Sequence, residues 1–161
     1  MKYLNQAKVL ILFISLLYST VVLSHGPTVK EKSDTALFSG LETSAGKAVL
    51  AFQTALETGD AKTARSLLAD DVLIFEGKGV ERSAEEYASH HMISDMRYLH
   101  AMTIVSIEHH VKEHGALAIS NSRSRVKGTY KNQEINRIGN ETIILERLDG
   151  DWKITHIHWS N

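Results

Sequence analysis

The chain has 161 residues, with 18 basic and 19 acidic side chains and a formal net charge of −1. This balance and the lack of a long basic run give no electrostatic case for binding nucleic acid, which uses clustered Lys and Arg. The sequence contains no cysteine, so disulfide bonds and thiolate chemistry are excluded.

The first 24 residues have the pattern of a secretory signal peptide. Lys2 and Lys8 precede an apolar run from Val9 to Leu17, and Ser24 marks the expected cleavage site. The run is too interrupted to favour a transmembrane anchor, although an uncleaved anchor is the alternative. Removing residues 1–24 leaves 137 residues with a net charge of −3, enough for one domain with a core. An export signal without cysteine predicts a periplasmic or secreted protein, free of the membrane after cleavage.

Residues 25–40 are polar and aperiodic, which predicts a flexible leader before one domain at 41–161. The first part of that domain has apolar residues at helical spacing, and Gly59 ends the first such run. Ser83 and Glu86 form a capping box that opens a third helix. The predicted elements of this half are helices at 41–58, 61–68 and 84–98 and a buried strand at 72–75.

Beyond Leu99 the pattern changes to the two-residue alternation of β-strands. Asp149-Gly150 is typical of a tight hairpin turn, and residues 127–132 predict another turn. The predicted strands lie at 102–112, at 116–126, on a long segment that ends near Arg147, and at 152–159. Helices followed by an antiparallel meander predict the α+β class.

Two segments carry a resemblance to a known family. The first, AFQTALETGDAKTARSLLADDVLIFEG (Ala51–Gly77), resembles the opening of the nuclear transport factor 2-like superfamily, also called SnoaL-like or cystatin-like. The second, ETIILERLDGDWKITHIHWSN (Glu141–Asn161), is similar to the closing hairpin of the calcium/calmodulin-dependent protein kinase II association domain and its bacterial relatives. The resemblance covers nearly all of residues 40–161.

This resemblance implies a strongly curved antiparallel sheet with the N-terminal helices packed on its concave side, leaving a conical pocket. Relatives use the pocket as an isomerase, dehydratase or epoxide hydrolase site or as a plain ligand cavity, and many dimerise through the sheet. The kinase domain binds acidic small molecules beside an arginine. Arg123 and Arg125 are equal candidates for that position. The resemblance therefore implies a small organic ligand, and an acidic one if an arginine binds it.

His91 and Asp95 are the candidate catalytic residues. They are four residues apart on the predicted third helix and therefore neighbours on one face, with Tyr87 one turn earlier. A carboxylate beside an imidazole fixes its tautomer and raises its pKa, as a general base requires. The alternatives are a surface ion pair or a buried histidine with a satisfied hydrogen bond.

His156 and His158 alternate on the last predicted strand, so we expect both on one face with Trp152 and Ile154. They are candidate ligand-binding residues together with Trp152. With His91 as a third ligand they would form a zinc or copper site.

A second candidate metal site lies at helical spacing on the third predicted helix. Met92, Met96 and His100 form a stripe whose soft ligands suit copper, and flexible core packing is the alternative.

Ile157 and Trp159 fall on the expected opposite face of the last strand, so both faces are apolar. This predicts a second layer, and hence a homodimer. On the preceding strand, Arg137 and Glu141 share one face and form either a buried ion pair or an anion site.

Three hypotheses follow from the sequence. The first is an exported small-molecule-binding protein, with Tyr87, an arginine, Trp152, His156 and His158 around the ligand. In its enzymatic version it is a cofactor-independent isomerase, dehydratase or hydrolase that uses His91 and Asp95. The second is a non-catalytic ligand-binding or oligomerisation module. The third is a periplasmic copper- or zinc-binding protein.

Overall fold

The computed structural model describes residues 37–161, which form the predicted α+β domain. The predicted signal peptide and residues 25–36 of the leader lie outside the described residues. The elements are β1 (Phe38–Ser39), α1 (Ser44–Thr58), α2 (Ala61–Leu67), β2 (Leu68–Glu76), β3 (Gly79–Glu81), α3 (Ala84–Ser89), α4 (Met92–His100), β4 (Met102–His114), β5 (Leu117–Tyr130), β6 (Gln133–Leu148) and β7 (Asp151–Ser160). No helix in this part of the chain is long and apolar enough to cross a bilayer.

Helix α1 has defined caps at both ends. The Thr43 side chain accepts a hydrogen bond from the Gly46 N–H at 3.1 Å. Gly59, with φ of 80°, ends the helix in the left-handed conformation that glycine adopts without steric cost. The predicted apolar stripe is buried against the sheet, so the end of the first helix and its buried face are confirmed.

The third predicted helix, 84–98, is wrong as a single element, because the chain forms α3 and α4 with a break between them. The capping box is present: Ser83 accepts from the Glu86 N–H at 3.0 Å, and the Glu86 carboxylate accepts from the Arg82 N–H. Where α3 ends, the Ser89 hydroxyl donates to the Glu85 and Glu86 carbonyls, a local bond that competes with helix continuation. His91 therefore stands at the N-cap of α4.

The sheet has seven strands in the order β1-β4-β5-β6-β7-β2-β3. The β1–β4 and β2–β7 pairs are parallel and the other pairs are antiparallel. Register shifts in the β2–β7, β4–β5 and β6–β7 pairs increase the local bend and twist. The result is the expected strongly curved sheet, with the helices on its concave side around a conical pocket.

The predicted flexible leader is too long at its C-terminal end. Phe38–Ser39 form β1 and pair with His109 and His110 of β4. The backbone N–H of His109 also donates to the Leu37 carbonyl at 2.8 Å. A two-residue strand has too little periodicity to be recognised in a polar segment, which explains the error.

Thr155 changes which residues of β7 face the core. Ile154 pairs with Leu145 and His156 with Ile144, so Thr155 has no partner and forms a bulge. Because strand side chains alternate, one extra residue moves every later side chain to the other face. Ile157 is therefore fully buried, whereas His156 packs its ring 5.6 Å from Phe75 on the outer, convex face.

The prediction that His156 and His158 share a face with Trp152 and Ile154 is therefore wrong. The apolar pattern that suggested a second subunit is also explained within one chain, because Ile157 joins the core. A homodimer stays a prediction.

One row of paired residues across the sheet forms the centre of the core. Its members are buried and lie side by side on β4, β5, β6, β7 and β2: Val111, Ser120, Ile143, Ile157 and Ile74. Helix α1 packs on this side of the sheet through Val49 and Phe52, which have no exposed surface. We call these five residues the core row. The cavity begins at the next row of paired residues along the strands.

Candidate functional site

A cavity of about 660 Å³ lies between the concave face of the sheet and the helices α1 and α4. Its floor is a second row of paired residues, two positions along each strand from the core row. This floor row consists of Phe38, His109, Ser122, Glu141, Trp159 and Glu76. All six line the cavity, whose volume is in the range of small-molecule sites.

The cavity is open because the next row has small side chains. Ser106, Ser124 and Gly139 pair side by side on β4, β5 and β6 and all line the cavity. Beyond them, Ile104, Val126 and Arg137 form the outermost lining row. A bulky residue in the middle row would fill the space that these short side chains leave.

Each helix contributes one face to the opposite wall. Leu50, Gln53 and Glu57 are spaced three and four apart on α1. On α4, Tyr98 and Leu99 lie three and four residues after Asp95. The wall therefore mixes apolar side chains with carboxyl, amide and phenol groups. Such a mixture can bind an apolar molecule and orient it through polar contacts.

Glu141 is held on the floor by three hydrogen-bond donors. Its Oε1 accepts from Gln53 Nε2 at 2.7 Å and from the Ser122 hydroxyl at 3.3 Å, and its Oε2 accepts from Trp159 Nε1 at 2.7 Å. Burial raises the pKa of Glu141 and nearby Glu57 adds to the rise, while the three donors oppose it. Glu141 is therefore a fixed carboxyl group in a poorly solvated place.

Asp95 is the titratable group of the α4 wall. Burial, with a further contribution from the negative charge of Glu76, raises the pKa of Asp95 to about 6. The Tyr87 hydroxyl donates to Asp95 Oδ2 at 3.0 Å and opposes this rise. Burial, followed by the charge of Asp95, raises the pKa of Tyr87 strongly, so this phenol stays a neutral donor. Asp95 can thus change protonation near neutral pH while its orientation stays fixed.

Tyr98 places a second polar group beside Asp95. It lies three residues later on α4, and both side chains line the cavity. Its hydroxyl oxygen is buried and has no hydrogen-bond partner among residues 37–161. The Arg137 guanidinium lies 5.5 Å from the centre of the Tyr98 ring. The phenol therefore has a hydrogen-bonding capacity that no described residue uses.

His109 occupies the floor next to β1. Its Nε2 lies 2.9 Å from the Ser120 hydroxyl, and burial, with a smaller contribution from His110, lowers the pKa of His109. This ring is therefore neutral near pH 7. Its neighbour His110 contacts Ser39 and Glu108 instead, so the two adjacent rings point to opposite faces of the sheet.

Of the two predicted catalytic residues, Asp95 lines the cavity and His91 does not. The His91 imidazole is about half exposed, and its Nδ1 contacts the buried Glu81 carboxylate. The hydrogen bond to Glu81 is the main cause that raises the pKa of His91. The helix break before α4 explains this placement, since it turns His91 from a mid-helix residue into an N-cap residue.

Tyr87 does not line the cavity, but it positions Asp95 from behind and its ring lies 6.1 Å from that of Trp159. Trp152 lies elsewhere, with its Nε1 donating to the Ser44 hydroxyl at 2.8 Å and its ring under Arg147. Trp152 is thus a packing residue at the start of α1, outside the cavity.

Arg123 and Arg125 are exposed on the convex face, because they alternate with the cavity-lining residues Ser122, Ser124 and Val126. Arg123 Nη1 lies 4.0 Å from a Glu108 carboxylate oxygen. The cavity arginine is Arg137 instead. It forms no ion pair with Glu141 in the described part of the chain, so the predicted buried pair is absent there.

His158 borders the cavity, whereas His156 does not line it. Within residues 37–161, no group of three or more His, Cys, Asp or Glu side chains is arranged to hold a metal ion. The predicted metal site of His91, His156 and His158 is therefore not formed there. Met92 and Met96 are buried in the core, in agreement with the core-packing alternative.

Sequence reasoning missed several cavity residues. Glu76 and Glu57 looked like ordinary charged ends of a strand and a helix, and Gln53 looked like a solvent-facing position of α1. The sequence signal for the site was Glu141, an acidic residue at a position of β6 where the alternating pattern predicts a core-facing side chain. Its donors come from α1, β5 and β7, and no local pattern connects those segments.

Comparison with known proteins agrees with this architecture. The SnoaL-like domain family matches residues 46–161. A “putative ketosteroid isomerase” from Shewanella frigidimarina is 46% identical, with a TM-score of 0.74, over 75% of this chain and 98% of that protein. No protein of curated function matches the chain.

More distant structures share the fold. A “putative dehydratase” of the nuclear transport factor 2-like family from Streptomyces avermitilis is 20% identical, with a TM-score of 0.62, over 73% of this chain and 93% of that protein. The association domain of CaMKII from C. elegans is 15% identical, with a TM-score of 0.56, over 71% and 91% of the two chains.

Proposed function

Because the chain belongs to the SnoaL-like domain family, we propose that it is a cofactor-independent enzyme of the isomerase or lyase type. Its substrate is a small, largely apolar carbonyl compound, and its reaction begins with removal of a proton next to the carbonyl group. The name of the 46% identical relative, “putative ketosteroid isomerase”, supports this class. The observation that carries the proposal is a cavity carboxyl group, Asp95, with a pKa of about 6 beside the partnerless hydroxyl of Tyr98.

In this reaction Asp95 acts as the general base. Its carboxylate takes the proton from the carbon, and the electron pair of the broken C–H bond moves towards the carbonyl oxygen. The Tyr98 hydroxyl donates a hydrogen bond to the carbonyl oxygen, which gains negative charge. The Arg137 guanidinium stabilises the same charge through its contact with the Tyr98 ring. Asp95 then returns the proton to a second carbon in an isomerase. In a lyase the electron pair expels a leaving group instead.

The test is conversion of a steroid β,γ-unsaturated ketone to its conjugated isomer, followed by ultraviolet absorbance. We expect Asp95→Asn to lower kcat by about 10²–10⁴-fold and Tyr98→Phe by about 10²–10³-fold. Arg123→Gln, which changes the convex face, is the matched control and should leave kcat unchanged. A folded Asp95→Asn variant with full turnover would remove the proposed base.

The alternative is a ligand-binding module without turnover. The partnerless Tyr98 hydroxyl and the fixed Glu141 carboxyl support ligand capture as well as chemistry. Under this alternative the ketone binds in the cavity with micromolar to millimolar Kd but is not converted by the wild-type protein. Binding and turnover measured on the same preparation therefore separate the two functions.

We also propose that the protein is exported to the periplasm or secreted after cleavage at Ser24, and that it forms a homodimer through the convex face. Phe75 and Val105 expose 41% and 55% of their surface there. The mass of the exported chain tests the cleavage site. A monomer at micromolar concentration in light scattering would contradict the dimer.

A further inference from the structure

The cavity carries an excess of negative charge. Four carboxylate side chains and one arginine line it within the described residues, and the carboxylates are Glu57, Glu76, Asp95 and Glu141. His109 is neutral near pH 7, as shown above, so it does not offset them. A ligand that enters this space meets a negative potential, strengthened by the surrounding apolar walls.

The four carboxylates form two pairs with different surroundings. Glu76 interacts with the positive charges of His91 and Arg137. Asp95 interacts with Glu76 and with the positive charge of His91. Glu57 and Glu141 also interact with each other, yet neither forms a salt bridge with any Lys, Arg or His of residues 37–161. The Glu57–Glu141 pair is therefore the part of the cavity that lacks a protein cation.

Burial raises the pKa of Glu141, and the hydrogen bonds around it oppose that rise by favouring the anionic form. Gln53 Nε2, the Ser122 hydroxyl and Trp159 Nε1 all donate to its oxygens. A carboxylate oxygen accepts two hydrogen bonds, so Oε2, which accepts from Trp159, retains one position for a donor from the cavity. A buried carboxylate of this kind is stabilised by a cation that donates to it.

Arg137 is too far away to be that cation. It lies four residues from Glu141 on β6, about 13 Å along an extended strand. It also belongs to the outermost lining row, whereas Glu141 belongs to the floor row. The cavity thus has a positive group near its outer end and an unbalanced negative group on its floor.

We propose that the ligand of this cavity carries a protonated amine, which binds between Glu141 on the floor and Glu57 on the α1 wall while its apolar body fills the rest of the space. This inference rests on the proposed function, because it names the ligand class of the same site. An amine ligand replaces the acidic ligand implied by the resemblance. The acidic ligand depended on Arg123 or Arg125, and both side chains face outwards. The carbonyl group of the substrate then lies towards Tyr98, so the two ends of the ligand meet opposite electrostatic environments.

Three probes with one indole body and different end groups test the proposal by isothermal titration calorimetry: tryptamine, tryptophol and indole-3-acetate. We expect tryptamine to bind at least tenfold more tightly than tryptophol, and indole-3-acetate to bind most weakly. Glu141→Gln should bring the Kd of tryptamine to that of tryptophol and leave tryptophol unchanged. Glu57→Gln changes an exposed residue that forms no side-chain hydrogen bond within residues 37–161. It should lower tryptamine affinity several-fold, and it keeps the test valid if Glu141→Gln fails to fold.

The matched control is Glu146→Gln, which removes the same charge from an exposed residue of β6 that does not line the cavity. It should leave all three Kd values unchanged. The proposal is overturned if tryptamine fails to bind at millimolar concentration, if indole-3-acetate binds as tightly, or if the Kd of tryptamine is unchanged in the Glu57→Gln variant.

These outcomes are separate from those of the proposed function. Ketone turnover that depends on Asp95, without any preference for tryptamine, would reject the amine and keep the enzyme. Preference for tryptamine without ketone turnover would keep the ligand class and reject the reaction.

Discussion

Substitution of Tyr87 by phenylalanine should raise the pKa of Asp95. The Tyr87 side chain is fully buried, and its hydroxyl donates to Asp95 Oδ2 at 3.0 Å. The pKa of Asp95 is about 6, with burial as the main cause of the rise and the hydrogen bond from Tyr87 as an opposing influence. Tyr87→Phe removes this donor and keeps the ring, so the carboxylate loses stabilisation without a cavity being created.

The size of the effect follows from the strength of the bond. A hydrogen bond to a charged group contributes about 1.5–3 kcal/mol, and about 1.4 kcal/mol corresponds to one pH unit of pKa. The pKa of Asp95 should therefore rise by about one to two pH units, to roughly 7–8. At pH 7 the wild-type carboxyl is mostly ionised and that of the variant is half ionised or less. If Asp95 is the base, the ascending limb of the pH–kcat profile moves by the same amount.

The measurement is a titration of the Asp95 carboxyl carbon by NMR on ¹³C-labelled protein, with circular dichroism to show that the fold is kept. Glu76→Gln is the matched control, because it removes the nearby negative charge and should lower the pKa of Asp95. An Asp95 pKa that stays near 6 in Tyr87→Phe, or falls there, would refute the assignment of Tyr87 as the positioning donor.

Two further predictions concern stability. A Cβ on Gly139 would meet no described atom nearer than 4.0 Å, so Gly139→Ala should stabilise the fold by about 0.5–1 kcal/mol. A Cβ on Gly128 would lie 2.5 Å from the Ala101 carbonyl oxygen, so Gly128→Ala should destabilise the fold by about 1–3 kcal/mol. Thermal denaturation compares the two variants, and equal Tm values would contradict both predictions. The bond to Glu81 raises the pKa of His91 above its ordinary 6.5, so the stability that this pair contributes is complete below pH 6.5 and is lost as pH rises through the raised pKa. The free energy of unfolding of His91→Gln, measured by urea denaturation at pH 6 and pH 8, should lack that loss. If the difference in unfolding free energy between the two pH values is the same as in the wild type, His91 is excluded as its source.

The fold could be predicted from the sequence because its signals are local or repeated. The stripe of α1, the cap at Ser83 and the hairpin at Asp149-Gly150 each involve neighbouring residues, and the resemblance supplied the order of the strands. The hairpin turn is observed, with positive φ at both Asp149 and Gly150.

The site could be predicted only in part, because its geometry depends on single-residue events. The bulge at Thr155 reverses the faces of the last strand without any composition signal, and the break after Ser89 removes His91 from the face that Asp95 occupies. The role of Glu141 depends on partners from three other elements, which only the folded chain brings together.

The layered rows of the sheet separate the residues that stabilise the protein from those that recognise a ligand. On β5 and β6 the core row, the floor row and the middle row are each two positions apart along the strand, so the two tasks fall on different residues of the same strand. Substitutions at Ser106, Ser124 and Gly139 can therefore change the size of the bound molecule with little cost to the core. A chain built this way can acquire a new ligand through a few small changes near its open end, while the interior that keeps it folded is inherited unchanged.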